Sequence, residues 1–404
     1  MKILVINSGS SSIKYQLFDI DRKAVMTAGI VERIGLADSR IKHKVFRDGK
    51  PQEVVKALAV RNHEEGLEHV AALISDPEIG VISDPGEITA VGHRVVHGGE
   101  RFSDTTIIDQ EVIDVVRELI PLAPLHNPAN LEGIEVAMRI FPAATQVAVF
   151  DTAFHQTMPA QSYRYAIPNR FYAEERIRSY GFHGTSHLYV TKAAAKYLGL
   201  PRAETNLITA HLGNGASITA VRGGQSVDSS MGFSPLPGLM MGTRSGDLDP
   251  AIVFYMGGKL GMSLAEIDRT LNKQSGLLGI AGSSDVRDVQ DRMAAGEADA
   301  QLALDMYTYR IKKYIGAYMA ALGRVDALVF TAGVGENSAF IRRRACEGLE
   351  NLGIAIDAAK NEGAIDGVTE IQAEDSAIKV LVIPTNEELE IAIQTRDICK
   401  AVDQ

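Results

Sequence analysis

Apolar residues from Ile3 to Ile6 form an unbroken run that predicts a buried strand. Asn7 to Ser12 is a polar turn, after which Ile13, Tyr15 and Leu17 alternate as a second strand. The same order returns much later in the chain. Leu207 to Leu212 predicts a strand, Gly213-Asn214-Gly215 a turn, and Ser217 to Val221 a strand closed by Gly223-Gly224. Ile88 to Val96 runs into Gly98-Gly99, as Ala327 to Thr331 runs into Gly333-Val334-Gly335. Gln146 to Phe150 delivers Asp151 at its end, and Lys379 to Pro384 delivers Asn386 and Glu387. Two copies of one strand-and-loop plan predict a duplicated α/β domain. Helices fill the intervals: His63 to Ile74, a stretch around Val112 to Leu119, and a long one from Ala298 to Leu322 with Leu304, Ile311, Ile315, Tyr318 and Leu322 on one face. The expected seam lies near residue 150. This gives an N-terminal domain 1–150, with a final helix 386–404 packing back on it, and a C-terminal domain 151–385.

Length and charge agree with this division. A chain of 404 residues exceeds one ordinary core. It is 46% hydrophobic and 23% charged, as globular proteins are, and its net charge of −10 comes without any basic block. Nucleic-acid binding is therefore not expected. Cys346 and Cys399 match no zinc or redox spacing, which fits a reducing cytoplasm. The apolar start is too short for a secretory signal, and no run is long enough to cross a bilayer. A soluble, cytoplasmic protein is expected.

The first turn carries the earliest chemical signal. Small residues after a strand let backbone N–H groups point inward at phosphate oxygens. Ser10 and Ser12 add hydroxyl donors, and Lys14 adds a charge. A plain hairpin would use the same residues, but Gly-Asn-Gly and Gly-Val-Gly-Glu-Asn turns recur in the second half. There is no GxxxxGK[ST] P-loop, no dinucleotide fingerprint and no protein-kinase catalytic loop. What remains resembles the plan of the sugar kinase, actin and chaperone ATPase superfamily. Its fold is two ribonuclease H-like α/β domains with an active-site cleft between them.

Six motifs make the resemblance specific. Val5 to Lys14 resembles the N-terminal signature of acetate kinases, and Ala210 to Ser217 their second signature. Gly92-His93-Arg94-Val95-Val96-His97-Gly98-Gly99-Glu100, Tyr180-Gly181-Phe182-His183-Gly184-Thr185-Ser186-His187, Met241-Gly242-Thr243-Arg244-Ser245-Gly246-Asp247 and Pro384-Thr385-Asn386-Glu387-Glu388 follow in the family's order. The resemblance spans essentially the whole chain. Ser8 departs from the usual alanine or cysteine, and Pro237 sits in a variable loop.

The resemblance implies reversible, Mg²⁺-dependent phosphoryl transfer between ATP and acetate, giving ADP and acetyl phosphate, with Mn²⁺ able to replace Mg²⁺. Such transfer asks mainly for positioned anions and neutralised charge. Arginine suits both tasks, because its planar fork holds carboxylate or phosphate in two parallel bonds. By resemblance, Arg94 holds the substrate carboxylate, Arg244 steadies the transferring phosphoryl, and His183 and His126 are active-site histidines. Asp151 has an acid–base or orienting role in the family. An acetate oxygen, already ionised above ~4, needs no general base, which favours orientation of Arg94. Asn7 and Glu387 are the implied metal ligands, through water as Mg²⁺ prefers. His211, Leu212, Gly213, Asn214 and Gly215 would wrap the nucleotide phosphates, and Asp285, Val286, Arg287, Gly333, Val334 and Gly335 would flank the adenosine. Val96, Leu125, Phe182 and Pro235 match the family's alkyl pocket, where valine favours acetate over propionate. The pairs His93/His97 and His183/His187 are four apart but lack the HExxH arrangement of a zinc site.

Rival expectations are a propionate or other short-chain acyl kinase, and an ATPase switch of the actin or chaperone type. The family also implies a homodimer, although no exposed stripe in the sequence marks an interface.

Overall fold

The computed structural model describes residues 1–47, 50–124 and 126–402. By internal contacts it divides into two compact units, Met1–Ala153 with Asn386–Gln404, and Phe154–Thr385.

The strands of the first unit are β1 (Lys2–Gly9), β2 (Ser12–Asp19), β3 (Ala24–Glu32), β4 (Arg40–Arg47), β5 (Lys50–Ala57), β6 (Ala90–Val95), β7 (Thr106–Ile107) and β8 (Thr145–Phe150). They form one sheet in the order β5-β4-β3-β2-β1-β6-β8-β7. The second unit holds β9 (Leu207–Leu212), β10 (Ala216–Arg222), β11 (Gln225–Ser229), β12 (Ala327–Thr331), β13 (Thr369–Glu370) and β14 (Lys379–Val382), in the order β11-β10-β9-β12-β14-β13. In the first sheet β3, β2 and β1 run antiparallel, β1, β6 and β8 parallel, and β7 antiparallel at the edge. The second sheet repeats these directions strand for strand through β11, β10, β9, β12, β14 and β13. The duplication read from the sequence is thus present in order and in direction.

The first polar turn is tighter than its composition predicts. β1 continues through Asn7 and Ser8, which pair with Lys14 and Ile13, and only Ser10 and Ser11 turn the corner. Ladder hydrogen bonds use the backbone, so polar side chains do not end a strand whose neighbours hold it on both sides.

The uninterrupted apolar run of β1 has a simple cause: both of its faces are covered. Leu4 and Ile6 pack with Leu67, Val70 and Ile74 of the helix His63–Ile74 and with Val136 of the helix Asn127–Ile140. Ile3 and Val5, on the opposite face, pack with Ile391, Ala392 and Cys399 of the helix Glu387–Val402. Burying each such side chain contributes roughly 1.5–3 kcal/mol. In the second unit, Leu207 and Val221 pack under Val190 and Ala194 of the helix Gly184–Leu198. Further along the same face come Thr209, His211, Ser217 and Thr219, in register across β9 and β10. This face therefore grades from apolar to polar as it nears the Gly213–Gly215 turn.

Candidate active site

In the first unit, β6 and the end of β8 run side by side, which brings Arg94 to Asp151. Arg94 Nε donates to Asp151 Oδ1 at 3.2 Å, and Arg94 Nη2 donates to Oδ2 in a closer second bond. Arg94 Nη1 points at Asn7 Oδ1, 3.4 Å away at the end of β1. The Asp151 side chain is 1% exposed and that of Arg94 is 22% exposed, so the carboxylate is sealed while the guanidinium keeps an open side. Burial works against the charge of Arg94, but Asp151 and then Glu387 outweigh it and raise its pKa above the ordinary arginine value.

Glu387 opens the last helix, where Asn386 caps Leu389 N at 2.9 Å. Burial pushes the Glu387 carboxyl up to about 7; Arg94 opposes that shift, while Asp151 and Glu388 add to it. A helix N-terminus favours negative charge but does not offset this crowding. Three carboxylates thus share one guanidinium and the more distant Lys14. A surplus of hard oxygen donors of this kind, with the Asn7 amide, fits a divalent cation such as Mg²⁺. Among the described residues, no group of three or more His, Cys, Asp and Glu is placed to hold a metal ion. Ser10, Ser12 and Lys14 lie on the β1–β2 hairpin of this unit.

Two asparagines missed by the sequence reading shape this end of the unit. Asn127 Oδ1 accepts from His97 N at 3.2 Å, and its Nδ2 donates to His97 O at 3.1 Å. Asn130 Oδ1 accepts from Val96 N at 3.0 Å, and its Nδ2 donates to Ser8 O at 2.7 Å. Both side chains are buried, one helical turn apart; they fasten the segment after β6 to the helix, and Asn130 also joins it to the end of β1. Val96 is fixed by this clamp and buried. His126 is the N-cap residue of the same helix, and Leu125 lies outside the described residues.

In the second unit, Gly181, Phe182 and His183 precede the helix Gly184–Leu198. Gly181 has φ +74°, and a Cβ there would stand 2.6 Å from the His155 ring, so only glycine fits. His155, also missed from sequence, meets the Phe182 carbonyl through Nε2 at 2.9 Å. A carbonyl only accepts, so Nε2 carries a proton, and Nδ1 lies 2.8 Å from Ser226 Oγ. Phe182 is buried. The His183 ring stacks on that of His211, with centroids 4.1 Å apart.

Arg244 donates to the Pro235 carbonyl at 3.3 Å and approaches Met241 Sδ at 3.7 Å. Among the described residues no carboxylate lies within ion-pairing distance of it, and burial pulls its pKa down. Its Nη1 and His183 Nε2 converge on the space where Gly215 lacks a side chain, 3.3 and 3.7 Å from a Cβ built there. A half-buried cation with no acidic partner, beside an imidazole and a glycine turn, is a site prepared for an anion.

Gly213 and Asn214 also line a cavity of about 610 Å³ that runs along Asp285, Val286, Arg287, Gly333 and Val334. This volume suits a small-molecule ligand. Leu212 is buried behind the turn, and Gly335 lies in the short helix Ala332–Asn337. The Asp285 carboxylate caps the helix Val286–Ala294 through Arg287 N at 2.9 Å. It also accepts from Arg287 Nε and Nη2 at 3.0 and 2.6 Å, which holds it down at about 2. The buried guanidinium of Arg342 donates to the Gly335 and Glu336 carbonyls at 3.0 and 2.8 Å and ties that segment to Asn361.

Comparison with known proteins places these features in a family. The sequence profile described as the acetokinase family matches residues 2–393. The acetate kinase of Oleidesulfovibrio alaskensis is 54% identical over 393 residues, covering 97% of this chain and 98% of that one. The acetate kinase of Thermotoga maritima is 53% identical over 405 residues, with both chains covered in full. Among solved structures, Porphyromonas gingivalis acetate kinase superposes with a TM-score of 0.93 at 47% identity, covering 98% of this chain and 99% of the other. A propionate kinase from Francisella tularensis gives 0.92 at 44% identity, with the same coverage. Matched from end to end in sequence and in fold, this chain belongs to the acetokinase family.

Proposed function

We propose that this enzyme moves a phosphoryl group reversibly between ATP and a short carboxylate, with acetate preferred. The observation that carries the reading is Arg244, a half-buried guanidinium with no carboxylate partner among the described residues, meeting His183 over the opening at Gly215. An arginine so placed gains its compensating charge only when an anion arrives. ATP occupies the cavity along Gly213, Asp285 and Gly333, with Ser10, Ser12 and Lys14 as further phosphate donors. Acetate is held by Arg94, which Asp151 aims. A carboxylate oxygen attacks the γ-phosphorus and forms the new O–P bond. The bond from that phosphorus to the bridging oxygen breaks, and its electron pair leaves with ADP. No proton needs to move, because acetate is ionised above ~4. Arg244 and His183 stabilise charge on the phosphoryl oxygens, where one well-placed donor is worth about 10²–10³ in rate. Asn7 and Glu387 would hold Mg²⁺, which neutralises charge on the phosphates when bound.

The buried Val96 favours acetate over propionate, since each methylene is worth about 1–3 kcal/mol of discrimination. The reading also includes a homodimer. The helix Ala251–Gly258 has no buried residue, and Phe254, Tyr255, Leu260 and Leu264 are 77%, 59%, 60% and 80% exposed. An apolar group of that size is what a self-complementary interface covers. No helix among the described residues is long and apolar enough to cross a membrane. We place the protein in the cytoplasm, where ATP is present and where the buried thiols of Cys346 and Cys399 stay reduced.

The test is to supply ATP and acetate with hydroxylamine and measure acyl hydroxamate against ADP. Equal amounts support the proposal. ADP formed without hydroxamate would show an ATPase switch instead, and faster hydroxamate from propionate would overturn the acetate preference.

A further inference from the structure

The polar end of the β9–β10 face carries a chain of three hydrogen-bonding groups behind His183. Thr209 Oγ1 lies 2.7 Å from His187 Nδ1, His187 Nε2 lies 2.8 Å from Ser217 Oγ, and Ser217 Oγ lies 2.9 Å from His183 Nδ1. Thr209, His187 and Ser217 are each 0% exposed, so solvent cannot satisfy any of their polar atoms. Nothing in the Tyr180–His187 motif alone distinguishes this chain from ordinary core packing.

Its direction follows from counting donors and acceptors. The Thr209 hydroxyl has His187 Nδ1 as its one side-chain or main-chain partner among the described residues. If His187 donated from Nδ1, the Thr209 hydrogen would be buried without an acceptor, at a cost of about 1–3 kcal/mol. Thr209 therefore donates, and His187 Nδ1 accepts. Burial and the neighbouring imidazoles of His155 and His211 keep His187 neutral, so its single proton is on Nε2. That proton goes to Ser217 Oγ. The Ser217 hydrogen then has one remaining partner, His183 Nδ1.

We propose that Thr209, His187 and Ser217 are positioning residues that fix His183 as a neutral imidazole with its proton on Nε2, the nitrogen facing the space over Gly215. Each link forces the next, beginning at a threonine in the middle of β9. An imidazolium at His183 would donate from Nδ1 as well, leaving the Ser217 hydrogen stranded in the core. An Nδ1–H tautomer would do the same and would turn a lone pair on Nε2 toward phosphate oxygens. In the fixed form, His183 donates a hydrogen bond to the transferring group and cannot attack phosphorus through Nε2. The inference rests on the proposed role of His183, but the tautomer itself can be read without substrate.

The experiment is long-range ¹H–¹⁵N correlation on histidine-labelled enzyme at neutral pH, with His183→Gln to assign the signals. The wild type is expected to show His183 as the Nε2–H tautomer. Thr209→Val keeps the shape of the side chain and removes only the first donor. It should shift the His183 signals toward a tautomer mixture and lower kcat about 10-fold with little change in KM, and Ser217→Ala should do at least as much. Activity in wild-type enzyme tests the phosphoryl-transfer reading separately. A charged or Nδ1–H His183 in the wild type would overturn the inference. So would His183 signals that Thr209→Val leaves unmoved.

Discussion

Arg94 and Asp151 are joined by two parallel hydrogen bonds in which the buried partner is the acid and the half-open partner is the base. This arrangement suits a guanidinium that must present its free edge to a ligand without swinging. Arg94→Ala should lower kcat/KM for acetate by about 10²–10³ while circular dichroism stays unchanged. Asp151→Asn should raise the KM for acetate and slow turnover. If added external base restored the Asp151→Asn enzyme, Asp151 would be a proton acceptor and not an aligning group.

Gly215 offers a finer test. A methyl group there requires no change of backbone region but would sit 3.3 Å from Arg244 Nη1. Gly215→Ala should therefore fold normally and lose about 10-fold or more in kcat, with a smaller change in ATP binding. Turnover equal to wild type would remove the Arg244–His183 opening from the reaction.

Val96 bears on the choice of substrate. Val96→Ala should shift kcat/KM ratios by about 10-fold toward propionate and butyrate and leave the ATP parameters alone. An equal loss on all three carboxylates, with a lower melting temperature, would assign Val96 to packing.

Much of the fold is legible in the amino-acid sequence. Strands such as β9 and β12 are short apolar runs ended by glycines, and the helix His63–Ile74 repeats its apolar residues every turn, so local pattern decides them. β4 was not legible, because the middle inward position of its alternation is His43, a polar residue that interrupts the apolar series between Ile41 and Val45. The site divided in the same way. Arginines set among glycines stood out. His155, Asn127, Asn130 and Thr209 did not, since a buried polar residue acquires meaning only from a partner far away in sequence. The apolar helix Ala251–Gly258 was equally silent, because composition does not reveal whether an apolar run has found a neighbour.

That helix yields a prediction of its own. Phe254→Asp places a charge on a largely exposed ring of the apolar group and should convert a dimer to monomer in sedimentation experiments. An unchanged sedimentation coefficient would move the interface elsewhere.

Asp228, on β11, gives a pH dependence. Burial raises its carboxyl to about 6 from an ordinary 3.8, with Tyr318 a distant donor at 3.5 Å. The folded protein thus holds the proton more tightly than the unfolded chain. This stability is fully present below the unfolded pKa and is lost as pH rises through about 6. Asp228→Asn should be more stable than wild type by about 1–2 kcal/mol at pH ~8 and nearly equal to it at pH ~4. Equal melting temperatures at both would refute the shift.

The covering of β1 by Ile391, Ala392 and Cys399 has a consequence for the order in which the protein is made. A ribosome finishes β1 through β8 early, yet the layer that closes one side of that sheet emerges only after the whole of 154–385 has been synthesised. At about 5–20 residues per second this is a delay on the order of tens of seconds. During it, the nascent first unit carries a bare apolar surface formed by Ile3, Val5 and Phe18, while the second unit, continuous in sequence, can complete itself. The unit that is begun first is therefore the last to be finished, and its exposure to chaperones is set by the length of the segment inserted into it.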